Sequence, residues 1–248
     1  MLAARCGPGQ RGGSPWSARV RSDHNEPVLF ADVVQTSTSV SATRSRTAKV
    51  EVLTELLRGL AVDEILPAVG FLTGTPRQGR IGVGWATVAS VDVAAATEPS
   101  LTIADVDGAI TLVQETRGAG SAAGRQSILV DLLERATIDE GAFIGRLLTG
   151  ELRQGALEGL MADAAARASD MKPADFRRAL MLDGDLGRVA TLARTGGAAA
   201  LSALRLEPFR AVLPMLASSA ADVEEALTRT GIHDHYVRSA IRSSRASA

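Results

Sequence analysis

The chain contains part of itself twice. Residues 45–82 align with residues 121–158 at a constant offset of 76, without a gap, and twelve of the 38 positions are identical. Composition alone would give about three. The identical pairs are Ser45/Ser121, Leu53/Leu129, Leu56/Leu132, Leu57/Leu133, Asp63/Asp139, Glu64/Glu140 and six positions of a terminal motif. Lys49/Arg125, Val52/Ile128, Glu55/Asp131 and Val62/Ile138 are similar pairs. The motif is Leu-Thr-Gly-x-x-Arg-Gln-Gly, at 72–79 and again at 148–155. Two copies are too few to stack into a solenoid. The expected arrangement is two similar lobes around a pseudo-twofold axis.

Each copy reads as a pair of helices. Leu53, Leu56, Leu57 and Leu60 recur at i, i+3, i+4 and i+7, as do Ile128, Leu129, Leu132, Leu133 and Ala136 nearly so. That spacing places them on one helical face. Thr137-Ile-Asp-Glu140 is a capping box that starts a helix, and Thr102-Ile-Ala-Asp105 is a weaker one. Residues 118–124 read as a loop. Lys172-Pro173 opens a helix with proline at its first position. Met181-Leu-Asp-Gly-Asp185 reads as a helix end at Gly184 followed by an Asp185 cap. No segment keeps a period of two. Apolar residues make up 46% of the chain and aromatics only 3%, so the core is Ala, Leu, Val and Ile, which favours helix packing. The expectation is an all-α fold of about ten helices.

The terminal motif has a physical use beyond ending a helix. Threonine-glycine stops the helix, because glycine tolerates the left-handed conformation. Arg77-Gln78-Gly79-Arg80 and its twin Arg153-Gln154-Gly155-Ala156 then present backbone N–H groups beside an arginine. Such a turn suits a phosphate, through N–H donors and a charge-assisted guanidinium fork. Gly184-Asp185-Leu186 is a third glycine-containing helix junction of this kind. Two readings stand: a helix stop with a surface arginine, or a grip on a nucleic-acid backbone that ignores sequence. Recurrence of the polar Arg-Gln pair favours the second, since a stop does not need it. The glycines match neither a dinucleotide fingerprint nor a phosphate-binding loop of nucleotide hydrolases. Trp85, just after the first turn, reads as a core anchor rather than a base-stacking platform.

Catalytic chemistry is hard to assemble from this chain. The three histidines, His24, His233 and His235, lie in the two irregular ends, and no serine or cysteine has a base near it in sequence. His233-Asp-His235 lacks a third ligand at metal-binding spacing. Asp63-Glu64 and Asp139-Glu140 sit in first helical turns, where acids complement the helix dipole. No catalytic residue and no metal site is assigned. Of 27 basic residues only Lys49 and Lys172 are lysines, which limits lysine chemistry; the arginine excess reads as codon bias. Net charge is −1, so no global field points to nucleic acid or membrane, although a local basic surface remains open. The single cysteine, Cys6, fits a reducing cytoplasm. No apolar run reaches the roughly 18 residues of a membrane span, and the N-terminus lacks the apolar stretch of a signal peptide.

These features divide the chain into four stretches. Residues 1–27, rich in glycine, proline and arginine, are expected to be disordered, with translation starting near Val28. A helical domain is expected over 28–205, a connector and short helix over 206–231, and an atypical, disordered tail over 232–248.

The combination resembles the N-terminal DNA-binding domain of ATP-dependent DNA ligases of bacteria with high-GC genomes. The resemblance rests on Leu147-Leu-Thr-Gly-Glu-Leu-Arg-Gln-Gly155 with Met161-Ala-Asp-Ala-Ala165, on Arg177-Arg-Ala-Leu-Met-Leu-Asp-Gly-Asp-Leu186 with Val189-Ala190, on Arg80-Ile-Gly-Val-Gly-Trp85, and on Val212-Leu-Pro-Met-Leu-Ala217. It runs from about Val28 to Gly231. It implies an all-helical, internally pseudo-symmetric domain that holds nicked duplex DNA across the minor groove. Arg77, Gln78, Gly79, Arg80, Arg153, Gln154, Gly155, Ala156, Gly184, Asp185 and Leu186 are its implied DNA contacts. In the family a Lys-x-Asp-Gly strand and an OB-fold follow, with ATP and Mg as cofactors. Here no lysine follows Lys172. The implied protein is a ligase frame ending before its nucleotidyltransferase domain, with roles in DNA repair, replication and recombination but no ligation of its own. A separate nucleotidyltransferase chain is an implied partner. The alternatives are a helical protein-interaction module, a non-functional remnant of a ligase gene, and an active ligase.

Overall fold

The duplicated stretch folds as two helix pairs whose ends match almost residue for residue. The structure, a computed structural model, describes residues 28–79, 81–84, 87–88, 90–152 and 157–207. The chain divides into two units, 1–212 and 213–248, and the described residues all belong to the first. The N-terminal extension, the connector beyond Glu207, the tail and all three histidines lie outside the described residues. Among the described residues there are nine α-helices and no strand: α1 Phe30–Ala42, α2 Arg46–Gly59, α3 Val62–Thr73, α4 Ile103–Glu115, α5 Ser121–Glu134, α6 Ile138–Thr149, α7 Leu157–Ala168, α8 Pro173–Asp183 and α9 Leu186–Ala203. The fold is all-α. The first copy is α2–α3 and the second α5–α6, and α3 and α6 are displaced by the same 76 residues at both ends.

Local chemistry accounts for these ends. Ser45 accepts the Ala48 N–H to start α2. Thr137 accepts the Glu140 N–H, and Glu140 Oε2 accepts the Thr137 N–H at 2.8 Å, a complete capping box. The first copy has alanine at the same place. Only the return bond is made there, from the Ala61 N–H to Glu64 Oε2 at 2.9 Å. Thr102 and Asp105 form a second complete box at α4. Pro173 opens α8, Gly184 closes it in the left-handed conformation, and Asp185 caps α9, all as the spacing predicts.

One boundary differs from the sequence reading. The loop expected over 118–124 ends early, because α5 already begins at Ser121. Gly118 and Gly120 take positive φ and complete the turn. Ser121-Ala-Ala then starts the helix, and alanine is its best former. Gly124 lies inside this helix, packed closely on Thr116: a Cβ there would lie 3.1 Å from the threonine methyl.

The two copies share one apolar cluster. Phe30, at the start of α1, is fully buried between the rings of Phe71 in α3 and Phe143 in α6. The ring centroids are 5.7 and 5.6 Å away, both edge-on. A 2.8 Å bond from the Phe30 N–H to Leu101 O pins the start of α1 beside the start of α4. Equivalent helices have different neighbours: α2 packs along α7 and α1, whereas α5 packs along α4. Leu57 is therefore buried while its counterpart Leu133 is half-buried. Helix α3 runs along α9, the contact that shapes the site described next.

Candidate nucleic-acid interface

The terminal motif performs one local task identically in both copies. Gly74 and Gly150 take φ of 72° and 77°. Thr75 N–H reaches back to Gly70 O at 2.9 Å, and Glu151 N–H to Arg146 O at 2.9 Å. These bonds close the same Schellman turn on α3 and α6. The preceding threonines, Thr73 and Thr149, each return a hydroxyl hydrogen bond one turn back, to Val69 O and Gly145 O. Pro76 and Leu152, in the variable part of the motif, are both buried. Leu-Thr-Gly is thus a helix stop with an apolar anchor behind it.

The Arg-Gln pair of the first copy does something else. Arg77 lays its guanidinium fork on Asp107 of α4, with Nε 2.8 Å from Oδ1 and Nη2 2.5 Å from Oδ2. Asp107 hydrogen bonding raises the Arg77 pKa above its ordinary value; burial opposes the shift, and the opposite charge adds to it. Gln78 follows the arginine onto the same helix. Its Nε2 donates to Asp107 Oδ1 at 2.8 Å, Asp107 O at 3.1 Å and Thr111 Oγ1 at 2.9 Å. Gln114 Nε2 donates to Gln78 O. Gln78 Oε1 is buried and accepts no hydrogen bond among the described residues. The amide cannot turn round, since that would set an acceptor against Asp107 and leave the carboxylate short of a donor. The motif's polar half is a clamp on α4.

The same turn forms one wall of a cleft of about 440 Å³. Thr73, Thr75, Pro76 and Arg77 line one side, and Gly184, Asp185, Leu186 and Gly187 the other. Two stretches picked from the sequence as phosphate contacts therefore face one cleft: Arg77, and the Gly184–Leu186 junction. Glu158, two residues past Ala156, lines it too. The walls come close because Gly187 has no side chain. A Cβ there would lie 3.2 Å from Leu66 O and 3.3 Å from Leu66 Cα. At the junction Asp185 accepts the Arg188 N–H at 3.0 Å, and the Leu186 side chain is buried. Asp183, fully buried, pairs with Arg188 at 3.3 Å. Gln78 and Gly79 do not line the cleft. Arg80, Arg153, Gln154, Gly155, Ala156 and Trp85 lie outside the described residues.

Sequence reasoning missed Asp107. The signal was present, since the 76-residue offset carries Asp107-Gly108 onto Asp183-Gly184. It also missed a cluster at the start of α2. Asp163 of α7 holds Arg46 at 2.6 Å and Arg177 at 2.7 Å, both exposed. Burial pushes the Asp163 carboxyl up, but hydrogen bonds from Arg177 and Arg46 outweigh it and hold the group below the ordinary carboxylate range.

Lys49 lies within α2 and Lys172 just before the first residue of α8, and neither lines the cleft. No group of three or more His, Cys, Asp or Glu among the described residues is placed to hold a metal ion. No described helix is long and apolar enough to cross a membrane.

Comparison with known proteins bears on these contacts. Residues 87–166 match a family model described as the DNA ligase N terminus. A probable DNA ligase of Saccharopolyspora erythraea is 52% identical over 204 residues, which is 82% of this chain and 40% of that protein. Over most of its length this chain is similar to part of probable bacterial DNA ligases. Probable DNA ligases of Rhodococcus jostii, 49% identical over 82% of this chain and 41% of that protein, and of Anaeromyxobacter dehalogenans, 48% identical over 82% and 40%, extend the likeness. The chain spans about 40% of the length of these ligase relatives. The matched segment 87–166 includes Asp107, the second helix pair and most of α7.

Proposed function

We propose that the helical unit binds duplex DNA through its sugar-phosphate backbone, as the DNA-binding part of an ATP-dependent DNA ligase. The carrying observation is the cleft where the Arg77 turn faces the Gly184–Leu186 junction, in a chain related to probable DNA ligases. Backbone N–H groups at helix ends and turns suit phosphate and read no bases. Arg80, Arg153, Gln154, Gly155 and Ala156 complete the proposed contact set. Nicked duplex is the proposed ligand, and a nucleotidyltransferase module, in this polypeptide or on a separate chain, supplies the sealing chemistry with ATP and Mg. DNA repair, replication and recombination in the cytoplasm are the corresponding roles.

Fluorescence anisotropy with intact and nicked duplexes of several sequences tests this. If about 4–6 phosphates are contacted, log K falls against log salt with a slope near −4 to −5. Affinities that do not depend on sequence are expected. No binding at low salt, or a flat salt response, refutes the proposal. Incubation with labelled ATP is expected to leave no lysine–AMP adduct on this chain; an adduct would make it a ligase in its own right.

A further inference from the structure

One face of α4 holds the first turn. Asp107, Thr111 and Gln114 stand at i, i+4 and i+7 of that helix, so they share a face. Asp107 takes the Arg77 fork and the Gln78 amide, Thr111 Oγ1 accepts from Gln78 Nε2 at 2.9 Å, and Gln114 Nε2 donates to Gln78 O. The other side of the turn rests on α3. A Cβ on Gly70 would lie 2.9 Å from Thr75 O and 3.3 Å from Pro76 Cα, so the turn is seated directly on the helix backbone. Between the two helices the Gly79 N–H donates to Pro76 O at 2.8 Å and closes the turn. Arg77 and Gln78 are its central residues, and their own N–H groups find no acceptor among the described residues.

This arrangement spends the Arg77 charge. Each Asp107 oxygen receives two donors: Arg77 Nε and Gln78 Nε2 at Oδ1, Arg77 Nε and Nη2 at Oδ2. A guanidinium joined to a carboxylate in this way offers a phosphate no net charge. Drawing it away would leave the largely buried Asp107 carboxylate uncompensated. The other charged side chains lining the cleft are the carboxylates Glu158 and Asp185. Among the described residues, the turn therefore has main-chain donors to offer a phosphate, and no free cation.

We propose that Asp107 is a positioning residue for DNA binding: it fixes the turn so that the main chain meets phosphate, and it removes Arg77 from the phosphate ligands. The consequence for DNA rests on the DNA-binding reading; the hold of Asp107 on the turn does not.

Asp107→Asn separates the two roles, because charge and positioning pull in opposite directions. The substitution removes a negative charge beside the cleft and releases Arg77. On charge alone, duplex DNA would bind more tightly, with a salt slope steeper by about 0.9 if Arg77 then takes a phosphate. Positioning demands the reverse: in anisotropy titrations, binding weakens about tenfold with the slope unchanged. Tighter or unchanged binding, or a steeper slope, overturns the proposal. Arg77→Lys is the companion variant, on a side chain 43% exposed, so folding is not at stake. It keeps the charge and loses the fork. Weaker binding with an unchanged slope is expected, and wild-type affinity overturns the proposal. Should Asp107→Asn not fold, Arg77→Lys decides alone. Amide exchange at Gly79 reads the hold on the turn without DNA. It is expected to quicken about tenfold or more in both variants, and unchanged rates overturn the positioning role. If the intact chain binds no DNA, the DNA reading falls alone, and Gly79 exchange still decides whether Asp107 positions the turn.

Discussion

Gly187→Ala tests whether the cleft owes its shape to the close approach of α9 to α3. Two effects oppose each other. Alanine is the better helix former by about 0.8–1.0 kcal/mol in a helix interior, an upper limit so near the start of α9. Against that, its Cβ would lie 3.2 Å from Leu66 O, 3.2 Å from Leu66 Cδ1 and 3.3 Å from Leu66 Cα. The Cδ1 atom can rotate away. The other two are backbone atoms of α3, so α9 itself must withdraw by a few tenths of an ångström. Overpacking of this kind costs about 1–3 kcal/mol. The net expectation is a loss of about 0–2 kcal/mol, and movement of the Gly184–Leu186 wall of the cleft. Gly108→Ala is the internal control. Gly108 lies inside α4 with nothing within 4 Å of its added Cβ, so it takes the propensity gain alone, about 1 kcal/mol of stabilisation. Urea unfolding of the two variants reads the difference directly, and a thermal scan shows it as about 2–4 °C per kcal/mol. Equal stabilisation by both substitutions would refute the close-approach argument.

Three further substitutions follow from packing and charge. Phe30→Leu removes two edge-on ring pairs worth about 0.5–1.5 kcal/mol each beyond area burial, so unfolding free energy is expected to fall by about 1–3 kcal/mol; a neutral result would mean the rings do not join the two copies. Ala61→Thr completes the capping box of α3, because Ala61 and Thr137 have nearly the same backbone conformation (φ −67°, ψ 159° against φ −67°, ψ 168°); a gain of about 0.5–2 kcal/mol is expected, and Thr137→Ala should lose a similar amount from α6. Acid should destabilise the fold through Asp163 and Asp105. Burial raises both carboxyls, but Arg177 and Arg46 outweigh it at Asp163, and Thr102 and Arg135 do so at Asp105, leaving both below their ordinary value. The unfolded chain therefore binds more protons than the folded one in that window. Their stabilisation is present above the ordinary value of about 3.9 and is lost as pH falls through the folded values. Urea midpoints measured from pH 7 downward should drop below about pH 4, and less steeply in Asp163→Asn.

Helix ends were legible in the sequence wherever a cap is made within a few residues. Thr137 with Glu140, Thr102 with Asp105, Pro173, and Gly184 with Asp185 all bond to near neighbours along the chain, so the residue types alone announce them. Residues 118–124 were misread for the same local reason: two glycines signalled a turn, and only the tertiary structure, with Gly124 packed closely on Thr116, shows how soon the helix resumes.

The duplication, the all-α class and the Thr-Gly stop were determined by sequence alone, since periodicity and capping act over one or two turns of chain. Tertiary structure decided what the first Arg-Gln pair meets. Asp107 lies on another helix, 30 residues beyond Arg77, and the two are brought together by packing rather than by local propensity. Tertiary structure also decided that the two copies share a core, because the link is a ring outside the repeat, Phe30, seated between Phe71 and Phe143. A repeat specifies which surfaces recur; which partner each surface meets depends on long-range closure, and two similar helix pairs with different neighbours cannot spell that out.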